Sequence, residues 1–591
     1  MRTLLAIVFA SAAHAQDAPP AGEDAFAAFQ RARAVVLGEG DAAPDAGVPV
    51  WGVAITVRTP GTRFIADAIG FDTARAGLID AVAREASSGL GPDARLTVEF
   101  AGRPSPIDGT RGLGEAVLSI RPGLDAVAVR AGDRVAVVFP DAALAAGMLP
   151  SQMLVSALRE ALGDRLPAGI EDGPGAWERY ADTALRNGDA KAFRASVTAL
   201  AQVGEAPAPV LLHRGGRVIG ITELSPEAMN AWAGALASHL SGRRYDGLEP
   251  YGLRGTYDPL RDEFLAPVES PFAQALAAHA LLRFGRSGWA PAANTQRART
   301  AGFVILRQLA FITPIRVDAM ADLGQRAPLE QEPWGDVASA AMTIIAMEPL
   351  EAEAFDLYPE LQSMRERCAE VVRSAVGRSI TGAAVFADDV PPAAQALVAR
   401  ALVALGRSDV AQPEDLETGQ AAARAVVERT EPAMLVSQMP WALAAMGPDE
   451  RQDARPALTS MRTLIVEHQL TGPIAEGDDR DLAGGIVFTR GGPPVPTWQS
   501  ARAAAALGVM LNDPSLTPRE EQPAAFMDLL RTLRFLRQLT IDESLEHLMA
   551  DPARAAGGVR AALWDQRQPS IATSLTLLAV CDAVDAAYQE P

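Results

Sequence analysis

The chain contains 591 residues, of which 49% are hydrophobic and 21% charged, and its formal net charge is −20. This composition excludes a disordered or low-complexity protein, and the lack of a domain-wide positive field argues against a nucleic-acid partner. Two cysteines are too few for a disulfide scaffold, a four-cysteine zinc site or an iron–sulfur cluster. At ~150 residues per domain, the length predicts three or four domains, or fewer if one domain is built from repeats.

The N-terminus has the three parts of a secretory signal peptide. Arg2 supplies the positive charge, residues 4–12 form a short apolar stretch, and residues 13–15 form an A-x-A cleavage site. We therefore predict a signal peptide over residues 1–15 and a linker over residues 16–25. The apolar stretch is too short to span a bilayer, and no later segment has ~18 uninterrupted apolar residues. These features predict an exported, soluble protein, most simply periplasmic, with no transmembrane segment after cleavage.

The two cysteines, Cys368 and Cys581, both lie in segments with amphipathic helical periodicity. An oxidising compartment would permit a disulfide between them, whereas burial within the helices would leave two free thiols. The sequence leaves both alternatives open.

Residues 26–168 have the mixed pattern of a small α+β domain, with β-branched runs between segments of helical periodicity. The predicted elements are, in chain order, a strand at 48–58, a helix at 71–88, a strand at 95–100, a β-hairpin at 126–139 and a helix at 150–162.

This order of elements resembles the AMMECR1 family. The resemblance rests on the strand at 96–100 and on the stretch from Pro122 to Pro140, which matches a closing Pro-Gly-Leu-Asp segment and hairpin. The family's LRGCIG motif corresponds to residues 63–70, which read RFIADAIG and contain no cysteine. Any role tied to that cysteine is therefore not implied for this chain, and an unrelated small α+β domain is the alternative.

Residues 169–223 contain two helical stretches and a hairpin at 210–221 that turns at Gly215 and Gly216. This pattern does not assign the segment to the α+β domain before it or to the helical region after it, and we treat it as a connector.

From residue 224 to the C-terminus, helices rich in alanine and leucine alternate with more charged amphipathic helices. The small-residue helices are predicted at 272–284, 337–347, 393–405, 435–446, 498–511 and 571–584. The amphipathic helices are predicted at 226–240, 295–311, 357–376, 419–429, 456–470 and 522–539.

Six alternating pairs of helices indicate a repeat architecture of helical hairpins. Helices that are apolar nearly all round belong in an inner layer, and one-faced helices belong outside. We therefore predict that residues 224–591 form an all-α (α/α)6 toroid, with an open solenoid as the alternative. The long loops then gather at one rim, over the N-termini of the inner helices, where binding residues are expected.

Two of these loops share a motif of two glycines and an apolar residue, followed by a proline and a small-residue helix. The first runs from Gly484 and Gly485 to Trp498, and the second from Gly557 and Gly558 to Ser570. The arrangement is similar to repeats of the terpenoid cyclase and protein prenyltransferase superfamily. The resemblance covers about the last three-fifths of the chain and implies an α/α toroid without specifying an activity.

The enzyme signatures of that superfamily are missing from the sequence. The acidic runs at 387–389 and 478–481 do not match the D-x-D-D motif of the cyclases, and Cys368 and Cys581 lie in mid-helix, away from the predicted rim. The histidines of the mature chain are scattered without an i, i+4 pair, so no metal site is predicted. Phosphate-binding and nucleophile-elbow motifs are also missing, and no cofactor is predicted.

Polar and aromatic residues remain at the predicted rim, in the loops that precede the small-residue helices. The predicted binding residues are Tyr257, Arg261, Glu263, Trp334, Trp498, Gln499, Trp564 and Arg567. The candidate catalytic carboxylates are Asp258, Asp336, Asp388 and Asp565, with Asp336 and Asp388, or Asp565 and Asp258, as pairs that could act as acid and base or nucleophile.

A simpler role is available to each of these groups. An aspartate just before a helix is an N-cap by default, which applies to Asp336 and Asp389. An aromatic residue beside a glycine-rich loop often packs that loop onto the helices.

The sequence therefore favours an exported protein whose toroid rim binds a glycan, a peptide or a periplasmic protein, without the superfamily's enzyme motifs. The alternative is a carbohydrate-active enzyme, a glycoside hydrolase or polysaccharide lyase, that uses rim carboxylates. An isoprenoid or lipid binder is a third hypothesis, although aromatic residues make up only 5% of the chain.

Overall fold

The computed structural model describes most of the chain as two compact units. The described residues are 18–38, 48–59, 62–71, 73–75, 77–87, 94–163, 175–203, 208–245, 251–322, 335–378, 383–472, 479–488 and 495–588, without the side chains of 312–322, 335 and 336. The N-terminal unit comprises the chain up to Val218 together with Asp542–Pro552 and Leu563–Gln566, and the helical unit comprises the remainder. The predicted signal peptide, residues 1–15, lies outside the described residues.

The N-terminal unit is α+β, as predicted. Its helices are α1 (Gly22–Leu37), α2 (Leu78–Ala86), α3 (Leu113–Ala116), α4 (Pro140–Ala145), α5 (Pro150–Leu162) and α6 (Ala176–Asn187). Its strands are β1 (Gly52–Thr59), β2 (Thr62–Ile69), β3 (Arg95–Ala101), β4 (Ser105–Pro106), β5 (Asp125–Ala131), β6 (Arg134–Val138), β7 (Ala190–Gln202) and β8 (Pro209–Leu212).

The strands form one antiparallel sheet in the order β2-β1-β3-β7-β5-β6, with β4 and β8 pairing to β7. Because side chains alternate across a strand, Val53, Ile55 and Val57 of β1 share one face and pack in a core that includes Phe29 of α1 and Val82 of α2. The same alternation sends small residues of β1, β3 and β5 to the opposite face, where they form a second cluster.

Two of the predicted segment boundaries require correction. Helix α1 begins at Gly22, inside the predicted linker at 16–25. The predicted connector at 169–223 supplies β7, which lies at the centre of the sheet between β3 and β5 and is therefore integral to the α+β unit. The predicted hairpin at 210–221 is reduced to one antiparallel bridge between His213 and Gly216 around a tight turn, whereas strand β8 pairs with β7.

A buried cluster of charged side chains lies within the N-terminal unit. Asp141 of α4 is 4% exposed; its Oδ2 accepts hydrogen bonds from Thr56 Oγ1 at 2.9 Å and Arg63 Nη2 at 2.6 Å. His547 Nε2 lies 3.4 Å from Asp141 Oδ1, and Glu99 Oε1 accepts a hydrogen bond from the Asp141 backbone N–H at 2.8 Å. The contact between Asp141 and His547 joins residues about 400 positions apart in sequence, so the segment Asp542–Pro552 belongs to the core of this unit.

The pKa values of the two carboxyl groups in this cluster are shifted in opposite directions. Burial, together with the negative charge of Asp141, raises the pKa of Glu99 well above its ordinary value. Burial would also raise the pKa of Asp141, but the neighbouring side chain of His547 and the positive charge of Arg63 outweigh it and hold the pKa well below its ordinary value. Of the two groups, Asp141 is therefore the one that holds the negative charge more strongly, and Glu99 the one that holds a proton more strongly.

The helical unit contains the predicted alternation of helices. Its helices are α7 (Pro226–Gly242), α8 (Pro271–Gly285), α9 (Ala292–Asp322), α10 (Gly335–Met347), α11 (Ala352–Leu357), α12 (Pro359–Ser374), α13 (Gln395–Gly406), α14 (Asp415–Arg429), α15 (Pro432–Leu435), α16 (Met439–Ala445), α17 (Pro448–Glu467), α18 (Ser500–Leu511), α19 (Gln522–Leu539), α20 (Pro552–Ala555, which begins at the unit boundary) and α21 (Ser570–Tyr588). Two short hairpins join β9 (Tyr257–Asp258) to β10 (Glu263–Phe264) and β11 (Val376–Arg378) to β12 (Ala384–Phe386).

The small-residue helices α8, α10, α13, α16, α18 and α21 contact one another in chain order, and the last, α21, also contacts the first, α8. Each amphipathic helix packs outside this cycle: α9 on α8, α12 on α10, α14 on α13, α17 on α14 and α15, and α19 on α18. Helix α7 packs on α21, so the amphipathic helix that precedes the series covers its last member.

Small residues allow the helices to be buried on nearly all sides. Of the 15 residues of α8, twelve are buried, among them five alanines. Helix α21 is similar, and by length and composition alone it could span a membrane, but 67% of its apolar window is buried inside the helical unit. Cys581, on this helix, is a buried free thiol, and Cys368, on α12, is also free, so the disulfide alternative is not realised.

The two glycine-rich loops have the same backbone structure. In the first loop, the backbone N–H of Gly484 donates to the oxygen of Leu470, and in the second the N–H of Gly557 donates to the oxygen of Ile541. Both glycines have positive φ, +83° and +77°, and an added Cβ would lie within 1.8 Å and 2.5 Å of backbone oxygens. The motif therefore consists of glycines because these positions combine a left-handed backbone with close approach of another chain segment.

Candidate functional site

A cavity of about 230 Å³ lies within the helical unit and is lined by residues from all six small-residue helices or from the turns that precede them. The lining residues are Phe272, Leu276, His279, Arg283, Ile345, Ala393, Leu397, Arg400, Ser437, Pro440, Trp441, Ala444, Arg502, Ala505, Val509, Ile571, Leu575, Leu578 and Asp582.

Helical periodicity explains how these residues reach the cavity. On α8, the lining residues follow a spacing of 4, 3 and 4 from Phe272 to Arg283, and on α21 the same spacing runs from Ile571 to Asp582. That spacing defines one helical face. Because α8 and α21 are in contact, the charged residues that end the two series meet, and Arg283 Nη2 lies 3.3 Å from Asp582 Oδ1.

Arg283 and Asp582 belong to a network of charges at one side of the cavity. Arg283 also pairs with Asp585, whose Oδ1 accepts a hydrogen bond from Trp289 Nε1 at 2.8 Å. Burial raises the pKa of Asp582 to about 6, in spite of the opposing effect of Arg283. Asp582 therefore exchanges a proton in the slightly acidic range, as a general acid requires.

Arg400 of α13 presents an unsatisfied donor. The residue is only 9% exposed; its Nη2 pairs with Glu348, and its Nη1 is buried with no hydrogen-bond partner among the described residues. A buried guanidinium N–H without an acceptor is costly. The position therefore favours an acceptor supplied from the cavity.

His279 of α8 is the second unsatisfied group. Its Nδ1 is buried without a hydrogen-bond partner among the described residues, and its ring lies 5.7 Å from that of Trp441. Burial, together with the positive charges of Arg400 and Arg283, lowers the pKa of His279 to about 3. The imidazole is therefore neutral at pH 7 and offers one donor and one acceptor.

Arg502 of α18 supplies a third positive charge to the cavity wall. Its Nε donates to Gln499 Oε1 at 2.7 Å, and its guanidinium lies 5.6 Å from the ring of Trp498. Burial lowers the pKa of this arginine, which nevertheless remains protonated at pH 7. Two of the residues predicted from the sequence, Trp498 and Gln499, therefore contact the cavity wall through Arg502.

The predicted residues around 257–263 lie together on the β9–β10 hairpin. Tyr257 is completely buried and its hydroxyl donates to Asp262 Oδ1 at 2.7 Å, whereas Arg261 and Glu263 are exposed. Asp258 is 7% exposed and accepts a hydrogen bond from the backbone N–H of Leu260 at 3.1 Å, which is the bonding of a turn.

The other predicted residues are dispersed. Asp388 and Asp389 are exposed in the turn after β12; the next helical turn begins after Pro391, so neither aspartate caps it. Trp564 and Asp565 belong to the segment that groups with the N-terminal unit, whereas Arg567, which is exposed, and Asp258 belong to the helical unit. Trp334 and the side chain of Asp336 lie outside the described residues.

None of the described residues among the predicted set lines the cavity itself. The residues that do so, above all His279, Arg400, Trp441 and Asp582, lie in the middle of the small-residue helices. A signal for them exists in the sequence, because a charged or aromatic residue in an otherwise small and apolar helix has to be paired or functional. Among the described residues, His, Cys, Asp and Glu form no group of three that could hold a metal ion.

No protein-family profile and no curated protein matches this chain. An uncharacterised protein from Pyrococcus horikoshii of known structure aligns over 98% of its own length with 32% of this chain, at 17% identity and a TM-score of 0.24. Two structures of glycosidase variants, the second in complex with glucose, align over 98% of their length with 60% of this chain, at 14% identity and TM-scores of 0.31 and 0.33. Similarity at this level assigns neither a family nor an activity.

Proposed function

We propose that the helical unit is an (α/α)6 toroid whose central cavity binds a glycan, in a protein exported to the periplasm. The observation that carries this proposal is a cavity lined from six helices in which two buried polar atoms, His279 Nδ1 and Arg400 Nη1, lack a hydrogen-bond partner among the described residues. Ligand pockets combine an apolar wall with a few convergent polar groups in this way.

The lining supports a sugar more than a hydrocarbon. Its apolar side chains lie beside three arginines, a histidine and an aspartate, and of the lining residues only Phe272 and Trp441 are aromatic. An isoprenoid would leave these polar groups desolvated and unpaired. A sugar ring supplies an apolar face for Trp441 and hydroxyl groups for the polar side chains.

The proposal predicts that Trp441→Ala weakens glycan binding about tenfold, the equivalent of ~1.4 kcal/mol, because the ligand loses the large aromatic surface on the cavity wall. Screening of the protein on an oligosaccharide array would identify a glycan, and titration calorimetry would measure its affinity. Trp177→Ala, which removes a tryptophan of the N-terminal unit, is the matched control and should leave binding unchanged. If no glycan binds the wild-type protein, glycan binding is refuted.

Hydrolysis or elimination at a glycosidic bond is a second candidate, favoured by the raised pKa of Asp582 beside the cavity. A general acid in this position would make turnover fall by a factor of about 10²–10⁴ in Asp582→Asn. The measurement is release of reducing ends from the glycans that bind, with Asp585→Asn as the control that perturbs the same arginine. Binding without release of reducing ends would leave the cavity a binding site.

A further inference from the structure

We infer that the glycan recognised by the helical unit carries a carboxylate, as a uronic acid does, and that Arg400 and His279 bind this group while Trp441 packs against the sugar ring. This inference rests on the proposed glycan-binding function of the cavity.

The ion pairs around Arg400 leave this residue short of negative charge. Its Nη2 pairs with Glu348, but the same carboxylate also lies 3.9 Å from Arg407 Nη1, so one carboxylate serves two guanidinium groups. Arg400 therefore has positive charge that Glu348 does not neutralise by itself. At the other side of the cavity, Arg283 is bound by both Asp582 and Asp585 and is compensated.

Two nitrogen atoms of the cavity wall also lack hydrogen-bond partners among the described residues. Arg400 Nη1 is a buried donor without an acceptor, and His279 Nδ1 is a buried nitrogen without a partner among the described residues. Since His279 is neutral, its Nδ1 donates in one of its two tautomers. A carboxylate has two acceptor oxygens and forms the stronger, charge-assisted bonds with a guanidinium, whereas a hydroxyl group provides a weaker and neutral partner.

The volume of the cavity and its aromatic wall fit one sugar ring. Pockets that enclose a drug-sized ligand have volumes of ~300–1,000 Å³, and this cavity, at about 230 Å³, suits a single sugar ring. Trp441 is half-buried beside His279, so a ring that packs on the indole brings a carboxylate attached to that ring close to the imidazole.

The test is calorimetric titration of the full chain at pH 7 with methyl β-D-glucuronide and with methyl β-D-galacturonide, each compared with its neutral glycoside. We expect each uronide to bind at least about tenfold more tightly than its neutral counterpart, as a charge-assisted pair requires. Arg400→Met and His279→Phe should abolish this preference and leave the weaker affinity for the neutral glycoside.

Arg424→Gln is the matched control, because Arg424 pairs with Glu450 in the helical unit and does not line the cavity, and this variant should keep the preference. His279→Phe preserves a flat ring and keeps the test decisive if Arg400→Met fails to fold. Equal affinity for acidic and neutral glycosides would overturn the carboxylate inference while glycan binding stands. Tighter binding of a sugar phosphate or sulfate than of the uronide would also overturn it. If neither the acidic nor the neutral glycoside binds and the array is also negative, the proposed function fails.

Discussion

Replacement of Asp141 by alanine is expected to destabilise the N-terminal unit by about 3–5 kcal/mol, the range observed when one partner of a buried ion pair is removed. Arg63, whose Nη2 lies 2.6 Å from Asp141 Oδ2, would lose its carboxylate, and the hydroxyl of Thr56 would lose its acceptor. Nearby, His547 would lose the carboxylate 3.4 Å from its Nε2. Urea unfolding followed by circular dichroism would measure the change in the transition of this unit.

Glu99→Gln is the matched control, because it removes the other carboxyl group of the same cluster. Burial and the charge of Asp141 raise the pKa of Glu99 well above its ordinary value, which favours its neutral form, and a glutamine amide oxygen can accept the hydrogen bond from the Asp141 backbone N–H as the glutamate oxygen does. We therefore expect Glu99→Gln to lower the free energy of unfolding by less than about 1 kcal/mol. A cost for Glu99→Gln equal to that for Asp141→Ala would contradict the assignment of the charge to Asp141.

The same cluster has a definite pH dependence. Because the pKa of Asp141 in the folded protein lies below its ordinary value of 3.8, the unfolded chain binds the proton more readily than the folded one. The stabilisation is therefore complete above pH ~3.8 and is lost as the pH falls below this value. The stability difference between wild type and Asp141→Asn should shrink as acid is added over this range.

Replacement of Gly484 by alanine is expected to lower the free energy of unfolding of the helical unit by about 3 kcal/mol or more. The residue has φ +83°, and its added Cβ would lie 1.8 Å from the backbone oxygen of Arg531. The left-handed backbone alone costs an alanine ~1–2 kcal/mol, and relief of the clash requires the loop or α19 to move, at a further ~1–3 kcal/mol. Thermal and urea unfolding would measure the loss.

Gly472→Ala separates these two contributions. Gly472 also has a positive φ, +66°, but no atom of the described residues lies within 4 Å of its added Cβ. This variant should lose only the backbone contribution of ~1–2 kcal/mol. Equal losses for Gly484→Ala and Gly472→Ala would mean that close approach to Arg531 contributes nothing.

Much of the fold could be predicted from the sequence because the spacing of apolar residues indicates where the helices lie. The helix at 150–162 and the helix at 522–539 were predicted at their observed bounds, since each carries one apolar face that a 3.6-residue period requires. The hairpin at 126–139 was predicted for the analogous reason, an apolar alternation around a glycine turn.

The predictions were wrong or incomplete for segments whose place in the fold depends on contacts with residues far away in sequence. Strand β7 has alanines, one lysine, one arginine and one phenylalanine without clear alternation, and only its pairing with β3 and β5 makes it central. The position of His547 beside Asp141 depends on residues about 400 positions away. Neither could be inferred from local patterns, because long-range pairing is not encoded in the spacing of neighbours.

The candidate site also combines features that follow from local sequence patterns with features that depend on long-range packing. The sequence by itself determined the alternating helices, the paired glycines of the two loops and the lack of known enzyme motifs, since each of these depends on local periodicity or residue type. The tertiary structure alone decided that His279, Arg400, Trp441 and Asp582 surround one cavity, because they lie on four different helices. Their convergence depends on how those helices pack, and a spacing within one helix specifies a face but not what that face meets.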